Sequence, residues 1–266
     1  MPEPGVARLA AAFESSTKQA ALMPYLMGGY PDLSGSLRLG EALADAGADV
    51  FELGIPFSDP LADGPVIQAA GEQALRAGAT FDTVLDEVGA RLAERVPVVV
   101  MCYTNPIVAR GADAVASRLA ASGIAGLIVP DLPVDEADTL RQACDRAGIA
   151  LVPLVAPTTP AERIQHAAQA ARGFIYVVSV TGVTGERDEL PAELRSVVGQ
   201  VQAASTVPVA VGFGIGTAEQ ARQVATIADG VIIGSRLVRA LADGATAEDG
   251  VSAAAAFLGE VAQSLR

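Results

Sequence analysis

An alternation constrains this chain more than any other feature. Eight short runs rich in Val, Ile, Leu and Ala recur at about 20–27, 48–54, 97–103, 124–129, 150–155, 174–179, 207–212 and 230–233. Pro97–Cys102, Phe174–Val178 and Val207–Val211 are apolar at nearly every position. A strand with one wet face alternates polar and apolar residues, whereas a parallel strand covered on both faces does not. Between the runs lie stretches with helical periodicity: Ser34–Ala46, Phe81–Arg95, Ala112–Ala121, Val134–Ala147, Pro160–Ala171, Pro191–Ala204 and Thr217–Ala225. Gly47, Gly123, Gly148 and Gly173 stand between a helix and the next run, where a chain leaving a helix commonly turns left-handed.

Eight β–α units admit a closed parallel barrel or a doubly wound open sheet. The strand count and the length of 266 residues favour an α/β (β/α)8 barrel. No Pro/Ser-rich linker divides the chain, so 1–266 reads as a single domain. Three further helices lie outside the alternation: Val6–Ser15 before the first strand, Pro65–Ala77 inserted after the second, and about Ala247–Leu265 at the end.

Composition narrows the function. The formal charge is −13 and no basic block occurs, which disfavours nucleic acid and anionic membranes as partners. No apolar run reaches the ~18–20 residues of a membrane span, and Met1–Ala12 lacks the apolar core of a secretory signal. The expected location is therefore the cytoplasm, with Cys102 and Cys144 as reduced thiols. A single histidine, His166, excludes multi-His metal sites, and no metal is expected.

In a barrel of this kind the chemistry sits on loops at the C-terminal ends of the strands. Glu52 interrupts the second apolar run, and a carboxylate buried there should have a raised pKa suited to proton transfer. Asp63 and Asp59 follow on the next loop, and either is a candidate second carboxylate or a turn former. The loop after the sixth run, with Gly182 and Gly185, has the composition of a lid. Gly212-Phe213-Gly214-Ile215-Gly216 follows the seventh run and Gly234-Ser235 the eighth. Glycine at both places lets backbone N–H groups approach an anion, and barrels commonly bind phosphate at these two loops. Tyr103, Thr104 and Asn105 end the third run and are further candidates to line the site.

The segment Glu52-Leu53-Gly54-Ile55-Pro56-Phe57-Ser58-Asp59-Pro60-Leu61-Ala62-Asp63-Gly64-Pro65 resembles the signature of the tryptophan synthase α subunit family. Met101-Cys102-Tyr103-Thr104-Asn105-Pro106, Pro130-Asp131-Leu132-Pro133, Ser179 through Gly185, Gly212-Phe213-Gly214-Ile215 and Gly234-Ser235 follow in the family's order. The resemblance implies cleavage of indole-3-glycerol phosphate to indole and glyceraldehyde 3-phosphate in tryptophan biosynthesis. It implies Glu52 as general acid/base, Asp63 beside the indole N–H, and Tyr176 at the reacting centre. Tyr25, Ile67, Met101 and Phe213 would form the indole slot. Gly185, Gly214, Gly234 and Ser235 would grip the phosphate, and Thr184 would orient Asp63.

The family needs no cofactor in this subunit; pyridoxal phosphate belongs to a partner β subunit in an αββα complex. Pro56, Phe57, Asp59, Asn105 and Pro133 are implied contacts with that partner. Two positions depart from the best-known pattern: Val180-Thr181 replaces Arg-Ser near the phosphate loop, and Tyr25 stands where Phe is common. Alternative readings are a stand-alone indole-releasing lyase, another phosphate-binding barrel enzyme, or a non-catalytic interaction subunit.

Overall fold

A computed structural model of the protein describes residues 4–178, 192–212 and 214–266. Its strands are β1 (Ala21–Met27), β2 (Phe51–Gly54), β3 (Val98–Met101), β4 (Gly126–Ile128), β5 (Ala150–Val152), β6 (Leu154–Val155), β7 (Ile175–Val178), β8 (Val209–Gly212) and β9 (Gly230–Ile233). All described pairings are parallel, in the order β5-β4-β3-β2-β1-β9-β8-β7-β6.

The two ends of that order, β5 and β6, are halves of one extended segment. Pro153 lies between them and has no N–H to give to a ladder. Its carbonyl still accepts the Tyr176 N–H at 3.0 Å, so the segment pairs with β4 at its start and with β7 at its end. The sheet thereby comes round on itself with eight staves, as the alternation predicts, and the doubly wound alternative falls.

The strands carry apolar residues on both faces because both faces are covered. Met23, Val50, Val99, Ile128, Ala210 and Ile232 pack within the barrel interior. Leu22, Leu26, Leu53 and Val100 belong to the larger layer between strands and helices. The N-terminal helix, Gly5–Ser15, contributes the fully buried Leu9 to the interior cluster, and its Phe13 meets Phe174 at 5.7 Å between ring centroids. Arg8 donates to the carbonyls of Gly123 at 2.7 Å and Ala93 at 2.5 Å, taking up acceptors just before β3 and β4. This helix therefore covers the N-terminal end of the barrel.

Gly47, Gly123, Gly148 and Gly173 all have positive φ, as expected where helices give way to strands. Two local readings need correction. The helix expected over 81–95 contains a π-helical turn, Leu85–Gly89, between Phe81–Val84 and Ala90–Ala93. The third run ends as a strand at Met101, and a separate helix, Thr104–Arg110, begins where the sequence suggested only a strand end. Pro106 is tolerated there because first-turn N–H groups have no intrahelical acceptor.

Candidate active site

Four strand ends meet at the C-terminal mouth. Glu52 lies on β2 opposite Tyr25 of β1 and Val99 of β3. It is 2% exposed, and among the described residues neither carboxylate oxygen has a hydrogen-bond partner. Burial, followed by the charge of Asp63, pushes its pKa up to about 8. At neutral pH it is a proton donor held in an apolar wall.

Asp63 is half-buried just before the helix Pro65–Arg76. Burial raises its pKa to about 6, with a hydrogen bond from Tyr103 acting in the opposite direction. Asp59, the competing carboxylate in the sequence, is exposed and accepts the Ser58 hydroxyl at 2.5 Å. Of the two, it is Asp63 whose charge reaches Glu52.

Tyr25 and Tyr176 are both buried, and their hydroxyls lie over the glycines that end the neighbouring strands. Tyr25 covers Gly54 and Tyr176 covers Gly212, and a β-carbon on either glycine would collide with the phenol. Burial raises the pKa of both tyrosines. Asp63 and then Glu52 add to the shift at Tyr25, and Glu52 and then Asp63 at Tyr176. Both phenols therefore stay neutral and share the space of the two carboxylates. The Tyr25 hydroxyl has the Met27 thioether 3.9 Å away, a weak acceptor.

Ile67 is buried on the inserted helix and Met101 is half-buried at the end of β3. Gly214 follows β8 with φ +56°, a backbone that only glycine adopts cheaply. Gly234 and Ser235 follow β9, and Ser235 opens the helix Ser235–Asp243. First-turn N–H groups of such a helix lack intrahelical acceptors and form the positive end of its dipole, which suits an anion. Thr184, Gly185, Phe213 and the expected lid at 182–190 lie outside the described residues.

Tyr103 takes a larger part than the sequence reading gave it. Its hydroxyl accepts the Ala62 N–H at 3.1 Å, and its ring stacks on Phe57 at 5.2 Å. The sequence signal was a lone tyrosine ending an apolar run at a loop, which does not reveal its partners. Asp131, after β4, accepts both the N–H and the hydroxyl of Thr104 at 2.9 Å. His166 sits away from the mouth, paired with Asp135 at 2.7 Å. Among the described residues no group of three or more His, Cys, Asp or Glu side chains is placed to hold a metal ion. No helix among them is long and apolar enough to cross a membrane.

A parallel barrel with two carboxylates of unlike acidity at its mouth, and glycine turns after its last strands, has the form of an acid/base barrel enzyme. The family model for the tryptophan synthase alpha chain matches residues 11–266. The chain belongs to that family. It is 50% identical over 228 residues to the tryptophan synthase alpha chain of Carboxydothermus hydrogenoformans, covering 85% of each chain. Identity to that of Gloeobacter violaceus is 47% over 251 residues, covering 93% of this chain and 91% of the relative. Among solved structures, tryptophan synthase of Mycobacterium tuberculosis superposes with a TM-score of 0.89 at 41% identity, covering 97% of this chain and 98% of that chain.

Proposed function

We propose that this chain is the lyase that cleaves indole-3-glycerol phosphate to indole and glyceraldehyde 3-phosphate in tryptophan biosynthesis. The observation that carries the mechanism is Glu52, buried without a hydrogen-bond partner among the described residues and still protonated near neutral pH beside the more acidic Asp63. Glu52 gives its proton to C3 of the indole ring, and Asp63, as carboxylate, stabilises the positive charge that forms on the ring nitrogen. The Glu52 carboxylate then takes the proton of the glycerol hydroxyl as the carbon–carbon bond breaks. Its proton is restored at the end of the cycle.

Tyr176 sits at the reacting centre in this reading. Tyr25, Ile67 and Met101, with Phe213, form the slot for the indole ring. Gly214, Gly234 and Ser235, with Gly185, hold the phosphate on N–H groups, and Thr184 orients Asp63. The chain's own side chains suffice for these proton transfers, so we assign it no cofactor. Pyridoxal phosphate is assigned to a β subunit that receives the indole within an αββα complex. The whole chain is read as one domain working in the cytoplasm.

The partner's docking face is proposed on the loops after β2, β3 and β4. Asp59, Asn105 and Pro133 are exposed there, and Phe57 is half-buried. Pro56 is buried and supports the loop from beneath. Leu61, 91% exposed, and Val108, 72% exposed, lie on the same loop and on the helix that carries Asn105. They add apolar surface to that face.

The test is indole release from indole-3-glycerol phosphate by the purified chain, with and without an added β subunit. Slow release that rises strongly with the β subunit is expected. Fast release unaffected by the β subunit would point to a stand-alone lyase, and no release in either condition would overturn the activity.

A further inference from the structure

We propose that Tyr103 is a positioning residue for Asp63, clamping the loop after β2 from the end of β3 so that the carboxylate is held at the site. The inference rests on the acid/base reading of that loop and adds a residue to which that reading gave no role. Tyr103 is 3% exposed and is fixed on both sides. The preceding N–H, of Cys102, donates to the Ile128 carbonyl at 3.0 Å. The following residue, Thr104, donates its N–H and hydroxyl to Asp131 at 2.9 Å each.

From this base the side chain reaches three residues of the facing loop. Its ring stacks on Phe57, with 5.2 Å between centroids and 25° between planes. Its hydroxyl accepts the Ala62 N–H at 3.1 Å, which leaves its own proton free to turn to the neighbouring Asp63 carboxyl, whose pKa Tyr103 lowers against burial. At the loop's start the Ile55 N–H donates to the Met101 carbonyl of β3 at 2.9 Å; beyond it, the other hydrogen bonds described for the loop are local. Leu61 N–H donates to Asp59 O at 2.9 Å, Asp63 N–H to Pro60 O at 3.1 Å, and the Gln68 side chain to Asp63 O at 2.9 Å. They shape the loop but do not tie it to the barrel. Tyr103 does, across a sequence separation of 41 residues.

The chemistry needs such a tie. The titratable groups facing Asp63 among the described residues are Glu52 on β2, Tyr25 on β1, Tyr176 on β7 and Tyr103 itself. None is a cation. A neutral donor then favours the carboxylate over the acid, and among the described residues Tyr103 is placed to act as one.

The experiment compares Tyr103→Phe, which keeps the stacked ring and loses the hydroxyl, with the unchanged chain. The carboxyl of Asp63 is followed by carbon-13 NMR titration, its signal assigned with Asp63→Asn. Loss of one hydrogen bond to the charged form should raise the midpoint by about one pH unit. The acid limb of kcat/KM should move up with it, while affinity for glycerol 3-phosphate stays the same. A ring-fluorinated tyrosine at 103, a stronger donor, should move the midpoint the other way and serves if the Phe variant folds poorly.

An unchanged midpoint in both variants overturns the clamp. The titration needs no turnover, so the outcomes separate. Indole release without a midpoint shift sinks the clamp alone, and a midpoint shift without indole release sinks the activity alone.

Discussion

At neutral pH Glu52 keeps its proton because burial disfavours charge and no donor among the described residues meets either oxygen. Between the ordinary glutamate value of 4.5 and about 8 the folded chain binds a proton that the unfolded chain has lost. Stability from this group is present below that window and falls as pH rises through it. Glu52→Gln keeps the shape and removes the titration. Its stability relative to the unchanged chain should therefore grow between pH 5 and pH 8, by a few kcal/mol at the upper end. Urea denaturation at the two pH values checks this, and an equal difference at both would mean that Glu52 does not titrate late. The same variant should lose cleavage by about 10²-fold or more. With Glu52 required as the acid and Asp63 as the carboxylate, kcat/KM should peak between about 6 and about 8. A carboxylate inside an apolar run was visible in the sequence. The acidity of its neighbour was not, because it depends on burial and on a tyrosine that follows another strand.

At the scale of elements, glycines make room in two different ways. Gly54 and Gly212 end strands and leave space for the phenols of Tyr25 and Tyr176, so their role is steric. Gly214 has φ +56° with open space where a β-carbon would stand, so its constraint is the backbone. Gly214→Val should strain the turn by about 1–3 kcal/mol. It should also weaken binding of glycerol 3-phosphate about tenfold or more by intruding on the N–H cradle. Isothermal titration calorimetry reads the affinity and thermal unfolding reads the strain, and lost stability with unchanged affinity would remove Gly214 from the phosphate site. The turns themselves were legible, since glycine after an apolar run has a local meaning. The helix Thr104–Arg110 was not, because its first N–H is capped by Asp131 from a different loop.

At the scale of the molecule, the barrel is covered at one end and works at the other. Leu9 fills the interior beneath the strands, and Gly173 and Gly126 leave space for it. Leu9→Ala should cost about 2–5 kcal/mol through the cavity it leaves. It should leave kcat/KM unchanged well below the melting temperature, because the carboxylates sit at the opposite mouth. A fall in kcat/KM at low temperature, with the melting temperature held, would show that the two ends are coupled.

The sequence by itself determined the staves, most of the helices, the turns between them and the loops where chemistry belongs. Period, apolar runs and glycine placement act within a few residues and are written directly in the order of the chain. Only the tertiary structure decided that 150–155 joins both ends of the sheet, that Asp63 and not Asp59 faces Glu52, and that Tyr103 holds the loop between them. Each of these depends on which distant segments become neighbours. A carboxyl's pKa and a hydroxyl's partner are properties of the surroundings, and those exist only once the barrel has closed.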